Sequence, residues 1–178
     1  SVWKLVSILS DGTIETEIIP ITNLEIWTFD IEHNTLEECE SFSIKTVELI
    51  ADSDSNLHVV ANLNTVINNF YHISKNTSSN EWNAGKSWKI YEIGDEAYAD
   101  YLVYGEYGLS AFVITAKLNP YNDKIYFVHG RRGEVYFATY LTGVYEFVEH
   151  GDFNYYHYYF KSMVIEFTEE KIHLLIFT

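Results

Sequence analysis

Reactive residue types occur in this chain, but not in the patterns that catalysis needs. The single cysteine, Cys39, sits in Glu37-Glu38-Cys39-Glu40. Carboxylates on both sides disfavour the thiolate, the opposite of what a nucleophilic cysteine requires. Gly108-Leu109-Ser110-Ala111-Phe112 lacks the second glycine of a nucleophile elbow, and there is no glycine-rich phosphate loop. Asp52-Ser53-Asp54-Ser55-Asn56 begins like a calcium loop, but Leu57 and Leu63 stand where that loop needs Gly and Glu. A solvated acidic turn is expected there instead. Glu149, His150, Asp152 and His157 carry metal-ligating atoms, yet His150 lies near a turn and His157 well into the next strand, with nothing to make three ligands converge. Arg131 and Arg132, the only arginines, fall in a turn-like "GRRG". There they could clamp a carboxylate or phosphate, or pair with the abundant acids. A protein that binds rather than catalyses is expected, with no cofactor and no metal; an enzyme of unknown type is a third reading without a signature.

The stronger signal is aromatic. Fifteen of the 178 residues are tyrosines, a side chain suited to half-buried pleated surfaces and to sites with one apolar and one wet end. In 153–167 one face would carry Phe153, Tyr155, His157, Tyr159, Met163 and Ile165, and the other Tyr156, Tyr158, Phe160 and Val164. Both faces are apolar, so this strand is either covered on both sides or offers one face to a cavity or partner.

The elements that would position these residues read as strands. Val2–Ser10 and Thr13–Ile19 flank Asp11-Gly12, a strong hairpin signal. In the second of these strands Ile14, Thr16 and Ile18 alternate with Glu15 and Glu17, which predicts one buried and one wet acidic face. Further strands are expected at 24–31, 41–50, 87–93, 97–105, 109–118, 124–130, 134–141, 143–148, 153–167 and 171–178. Residues 57–74 are ambiguous. Val59, Leu63, Val66, Ile67 and Phe70 share a helical stripe with Ser55 as a candidate N-cap, but Asn62, Asn64, Asn68 and Asn69 are poor helix formers. Residues 75–86 read as a polar loop. No linker or repeat divides the chain, so one domain over 1–178 is expected, mainly antiparallel all-β with 10–12 strands, either barrel or sandwich, and one short helix within 57–74 as an option.

Ser1-Val2-Trp3-Lys4-Leu5-Val6-Ser7 followed by Asp11-Gly12 resembles the G-x-W opening of lipocalin-like and fatty-acid-binding calycin barrels, and Ile26-Trp27-Thr28-Phe29-Asp30 resembles a following barrel strand. The motif's glycine is absent and only about 30 residues are covered. The resemblance implies a small barrel, closed at one end by Trp3, around an apolar ligand. The expected ligand-binding residues are Trp3, Trp27, Trp88, Tyr104, Phe112, Tyr136, Tyr155, Tyr159, Arg131 and Arg132.

Charge suggests a different use. The chain carries 26 acids against 11 Lys and Arg, a net −15. Twelve of the acids and only two lysines lie in residues 1–60. Nucleic acid and anionic membranes would be repelled, and a macromolecular partner would be basic. No apolar run is long enough to span a membrane. Two functions are therefore weighed: a barrel carrying a small apolar or aromatic ligand, which the barrel opening favours, and an acidic, Tyr-rich surface that captures a basic protein in the manner of an immunity protein, inhibitor or viral decoy. A single cysteine forms no internal disulfide, and the chain opens without Met, which suggests trimming or processing. A secreted or extracytoplasmic setting is preferred, with the compartment left open.

Overall fold

A computed structural model describes residues 2–30, 35–38, 43–64, 70–88, 113–131, 134–141, 144–152 and 162–177. All regular structure among them is antiparallel strand, as expected. The hairpin β1 (Lys4–Ile8) and β2 (Ile14–Ile18) comes first, then β3 (Trp27–Asp30) with β4 (Thr35–Glu38). A five-stranded sheet follows: β5 (Ser43–Ala51), β6 (Leu57–Asn64), β7 (Phe70–Asn76), β8 (Glu81–Trp82) and β9 (Lys86–Trp88), in which β8 and β9 both pair with β7. The meander β10 (Val113–Leu118), β11 (Ile125–Arg131), β12 (Glu134–Leu141) and β13 (Val144–Asp152) forms a four-stranded sheet. The hairpin β14 (Ser162–Phe167) and β15 (Ile172–Phe177) closes the order. The strands number fifteen among the described residues rather than 10–12 because several, such as the two-residue β8, are fragments. One sheet curls into half a barrel, which suits a barrel or a sandwich, and no strand group closes on itself among the described residues.

The optional helix in 57–74 gives way to β6 and β7, with Ser55 in the preceding turn at φ 64° rather than at an N-cap. The physical reason is two-sided cover. His58, Val59, Val60, Ala61, Asn62 and Leu63 are all buried, so the segment lacks the alternation of a half-exposed strand and resembles a helical stripe. On one face Val59, Ala61 and Leu63 pack with Tyr71 and Ile73 of β7 against Leu5, Ile19 and Ile26, with Trp3 and Trp82 alongside. On the other face His58 and His72 meet Phe127 and Tyr140 of the meander. The meander's opposite face packs Val128 against Met163, Ile165 and Phe167 of β14. The layers are thus the N-terminal hairpin segment, the five-stranded sheet, the meander and the C-terminal hairpin. The polar loop expected over 75–86 in fact contains β8 and the start of β9, held because Gly85 N donates to Thr22 Oγ1 (3.0 Å) and Asn23 Nδ2 donates to Gly85 O (3.2 Å).

Candidate functional site

Among the described residues, large apolar side chains are exposed on β5 (Val47, Leu49) and β14–β15 (Val164, Leu175, Phe177) as well as on β1–β2, and two places combine charge with an unusual placement. The first is the β1–β2 hairpin. Its turn is a three-residue loop, Ser10 to Gly12, in which Gly12 N donates to Leu9 O (2.9 Å) and Gly12 itself takes φ +85°, where a side chain would be strained. The register pairs Leu5 with Glu17, Ser7 with Glu15 and Ile8 with Ile14. Leu5 is buried, so the Leu5, Ser7, Glu15 and Glu17 face points at the five-stranded sheet. Glu17 there receives the Lys75 ammonium at 2.5 Å, with Lys75 only 8% exposed. The expected orientation is therefore corrected: Ile14 and Ile18 do not form the buried face, and Glu17 is not on a wet one. Leu5, buried in the core cluster, shares this inner face, and on it Glu17 neutralises Lys75, which would otherwise be an unpaired buried charge costing several kcal/mol. Val6, Ile8, Ile14 and Ile18 consequently face solvent, at 57–74% exposure, beside exposed Val2. Asp11 stands in the turn at the end of this apolar row, and Lys4 shares its face opposite Ile18. The Asp11 carboxyl is lowered by the hydrogen bonds it accepts from Thr13, so it is ionised.

The second place is buried. Asp52, in the turn after β5, accepts from Asn56 N (2.7 Å) and Asn56 Nδ2 (2.9 Å) and lies 3.1 Å from His58 Nε2. Asp52 is therefore a structural anchor rather than part of a fully solvated acidic turn. His58 Nδ1 lies 3.0 Å from His72 Nε2. The two rings are nearly parallel, 13° apart with centroids at 5.3 Å, as an in-plane bond between two imidazoles requires. An ionised carboxylate only accepts. Neutral His58 must then carry its proton on Nε2 and accept at Nδ1, which makes His72 Nε2 the donor. Burial pushes Asp52 up, but Asn56 and His58 outweigh it, and the carboxyl is lowered. Burial pushes His58 down, opposed by Asp52 and Asp123. His72 is pushed down to about 3, first by burial and then by His58. Both imidazoles are neutral at pH 7. Tyr140 meets both rings at 5.5 and 4.8 Å, and Phe127 meets His72 at 5.7 Å. On the same face of β6, Asn62 is 2% exposed and neither atom of its amide has a hydrogen-bond partner.

Of the expected ligand-binding residues, Trp3, Trp27, Trp88, Tyr136 and Arg131 are among the described residues and lie in different elements. Trp3 is half-buried and edge-on to Tyr71 at 5.8 Å, a core contact. Trp27 lies in β3 opposite Glu38, Trp88 in β9 opposite Phe70, Tyr136 in β12 opposite His129, and Arg131 ends β11 opposite Glu134. Tyr104, Phe112, Tyr155, Tyr159 and Arg132 lie outside the described residues, as do Cys39 and His157. Within 153–167, Met163 and Ile165 are buried and Val164 is 54% exposed. Sequence reasoning missed the histidine pair, because recognising it needs β6 and β7 as a hairpin with Val60 opposite His72. Among the described residues no group of three or more His, Cys, Asp or Glu is placed to hold a metal ion, and no helix is long and apolar enough to cross a membrane. Comparison with known proteins finds no matching family model, no similar curated protein and no matching solved structure.

Proposed function

We propose that this chain is a binding module that captures a basic protein segment on the outward face of the β1–β2 hairpin. The observation that carries this reading is the orientation of the hairpin: Val6, Ile8, Ile14 and Ile18 are turned to solvent while its acids line the inner face and the rim. Apolar rows of this kind on otherwise charged proteins mark interaction sites. The chain's net −15 supplies the complement to a cationic partner and opposes self-association. The partner would offer aliphatic side chains to the row and Lys or Arg to Asp11.

The test uses two strand-forming peptides of alternating pattern, one Lys-Ile and one Glu-Ile, titrated into the protein with backbone amide shifts as readout. The Lys-Ile peptide is expected to bind, to perturb residues 4–18, and to lose affinity at least tenfold for Ile8→Ser/Ile14→Ser, given about 1–2 kcal/mol per partly exposed aliphatic buried. Its affinity should also fall with salt. Equal binding of both peptides, or binding unchanged in the double variant, would refute the hairpin as the docking face. Salt-insensitive uptake of a fluorescent fatty acid, with no peptide binding, would favour the carrier.

A further inference from the structure

Of the thirteen asparagines in the sequence, one begins an Asn-x-Ser/Thr triplet: Asn76-Thr77-Ser78. With a middle residue other than proline, that triplet is the acceptor pattern for an N-linked oligosaccharide. So short a pattern also arises by chance, and the fold decides whether the place suits a bulky, hydrated group. Asn76 is the last residue of β7, and residues 77–80 form the turn into β8. Tyr71 to Lys75 are all buried, whereas Asn76 to Asn80 are all exposed. The chain therefore surfaces at Asn76 itself. The register sets Lys75 opposite Trp82 and Asn76 opposite Glu81, and Asn80 ends the turn at φ 57°.

The Asn76 carboxamide is held in a defined direction. Its Oδ1 accepts from Ser78 N (3.0 Å) and Ser79 N (3.1 Å), an Asx turn. Thr77 N donates to Asn56 Oδ1 (3.4 Å), which ties the turn to the one between β5 and β6. Because Oδ1 faces those two amides, Nδ2, on the other arm of the planar carboxamide, is directed away from them. A covalent bond at Nδ2 leaves Oδ1 an acceptor, so a sugar and the turn do not compete for the same atom. Ser78 enters the turn through its backbone N–H and is itself exposed.

We propose that Asn76, at the exposed mouth of the β7–β8 turn, is an N-glycosylation site. The co-reactant is an oligosaccharide carried on a polyprenyl pyrophosphate, delivered by a transferase in a secretory compartment. Asn76 Nδ2 bonds to the anomeric carbon of that donor. The bond from the anomeric carbon to the pyrophosphate oxygen breaks, and the pyrophosphate leaves with the electron pair. Nδ2 gives up one of its two protons to a base of the transferase, and nothing is oxidised or reduced. In the folded chain the glycan stands over the exposed residues 77–80 and displaces no packed side chain. The buried Lys75–Glu17 pair, one residue earlier, is left intact. The site uses no residue of β1–β2 and is independent of the hairpin reading.

The test starts from the protein isolated from its natural source. The denatured chain is treated with a peptide-N-glycosidase in heavy-oxygen water and then cut with chymotrypsin after Tyr71 and Trp82, which releases residues 72–82. Asn76, and not Asn80 in the same peptide, is expected to be converted to aspartate carrying the heavy isotope. In a second arm the chain is secreted from eukaryotic cells behind a cleavable leader. Wild type and Thr77→Ala, which keeps the triplet, are expected to lose mass on glycosidase treatment, and Ser78→Ala is expected to lose none. Ser78→Ala retains the backbone N–H that the turn uses; should it fail to be secreted, Asn76→Gln reads the same loss of the glycan. An unmodified Asn76 in the protein from its own source, a secreted wild type whose mass does not change, or a Ser78→Ala chain that still carries the sugar would each overturn the proposal.

Discussion

Gly85→Ala puts one methyl group into the tightest contact of the N-terminal layer. A Cβ built on Gly85 would lie 1.8 Å from Tyr71 Oη, 2.3 Å from Tyr71 Cζ and 2.7 Å from Thr22 O. Tyr71 is fully buried and its ring is held by Trp3. Its hydroxyl donates to Thr22 O (2.8 Å) and accepts from Thr22 N (3.2 Å). Ordinary contact begins at 3.4 Å, so the phenol must retreat by 3.4 − 1.8 = 1.6 Å, which breaks both bonds. Overpacking costs about 1–3 kcal/mol, and stranding the buried hydroxyl and its Thr22 partners costs about 1–3 kcal/mol more. A loss of about 3–4 kcal/mol is expected, a large share of a small protein's stability. Tyr71→Phe alone should cost about 1–2 kcal/mol. The double variant should cost less than the sum by about 1 kcal/mol, since both changes break the same bonds. It should not be fully rescued, because Cζ remains in the way. Urea unfolding followed by tryptophan fluorescence measures all three. A Gly85→Ala protein within 0.5 kcal/mol of wild type, or strict additivity, would refute this account of how residues 22–25 dock beside Gly85.

Glu15 and Glu17 look equivalent in sequence but should behave differently. Glu17→Gln leaves the Lys75 ammonium without its carboxylate and is expected to lower stability by about 1–2 kcal/mol, discounted for the partial exposure of Glu17. Glu15→Gln should stay within about 0.5 kcal/mol, and equal urea midpoints for the two would place Lys75 elsewhere. Asn62→Leu replaces an unpartnered buried amide with an apolar group of similar size, so a rise of about 1–2 kcal/mol is expected. A fall of that size in the urea midpoint would mean that the amide is bonded in solution.

Strand identity was largely legible from local pattern. The antiparallel all-β class, the Asp11-Gly12 hairpin and the meander strands follow from β-branched and aromatic runs cut by turn residues. The expected 134–141 coincides with β12, Glu134–Leu141, and 124–130 matches β11, Ile125–Arg131, to within one residue. These signals are local because a turn and the two strands it joins are neighbours in the chain.

What the sequence could not decide is which side of each strand is inside. Alternation in Ile14-Glu15-Thr16-Glu17-Ile18 specifies two faces without specifying which one is covered, because a period of two is symmetric under inversion. The position of Lys75, 58 residues further along, makes Glu17 the inner residue and exposes the isoleucines. Two-sided cover removed the alternation from β6 altogether and let a strand pass for a helix. The histidine pair depends on the same tertiary facts: His58 and His72 are 14 residues apart, and only the β6–β7 register together with the meander lying over it brings their nitrogens within bonding distance and takes both rings out of water. Burial and charge pairing are decided by what packs against a strand, and that partner is remote in sequence.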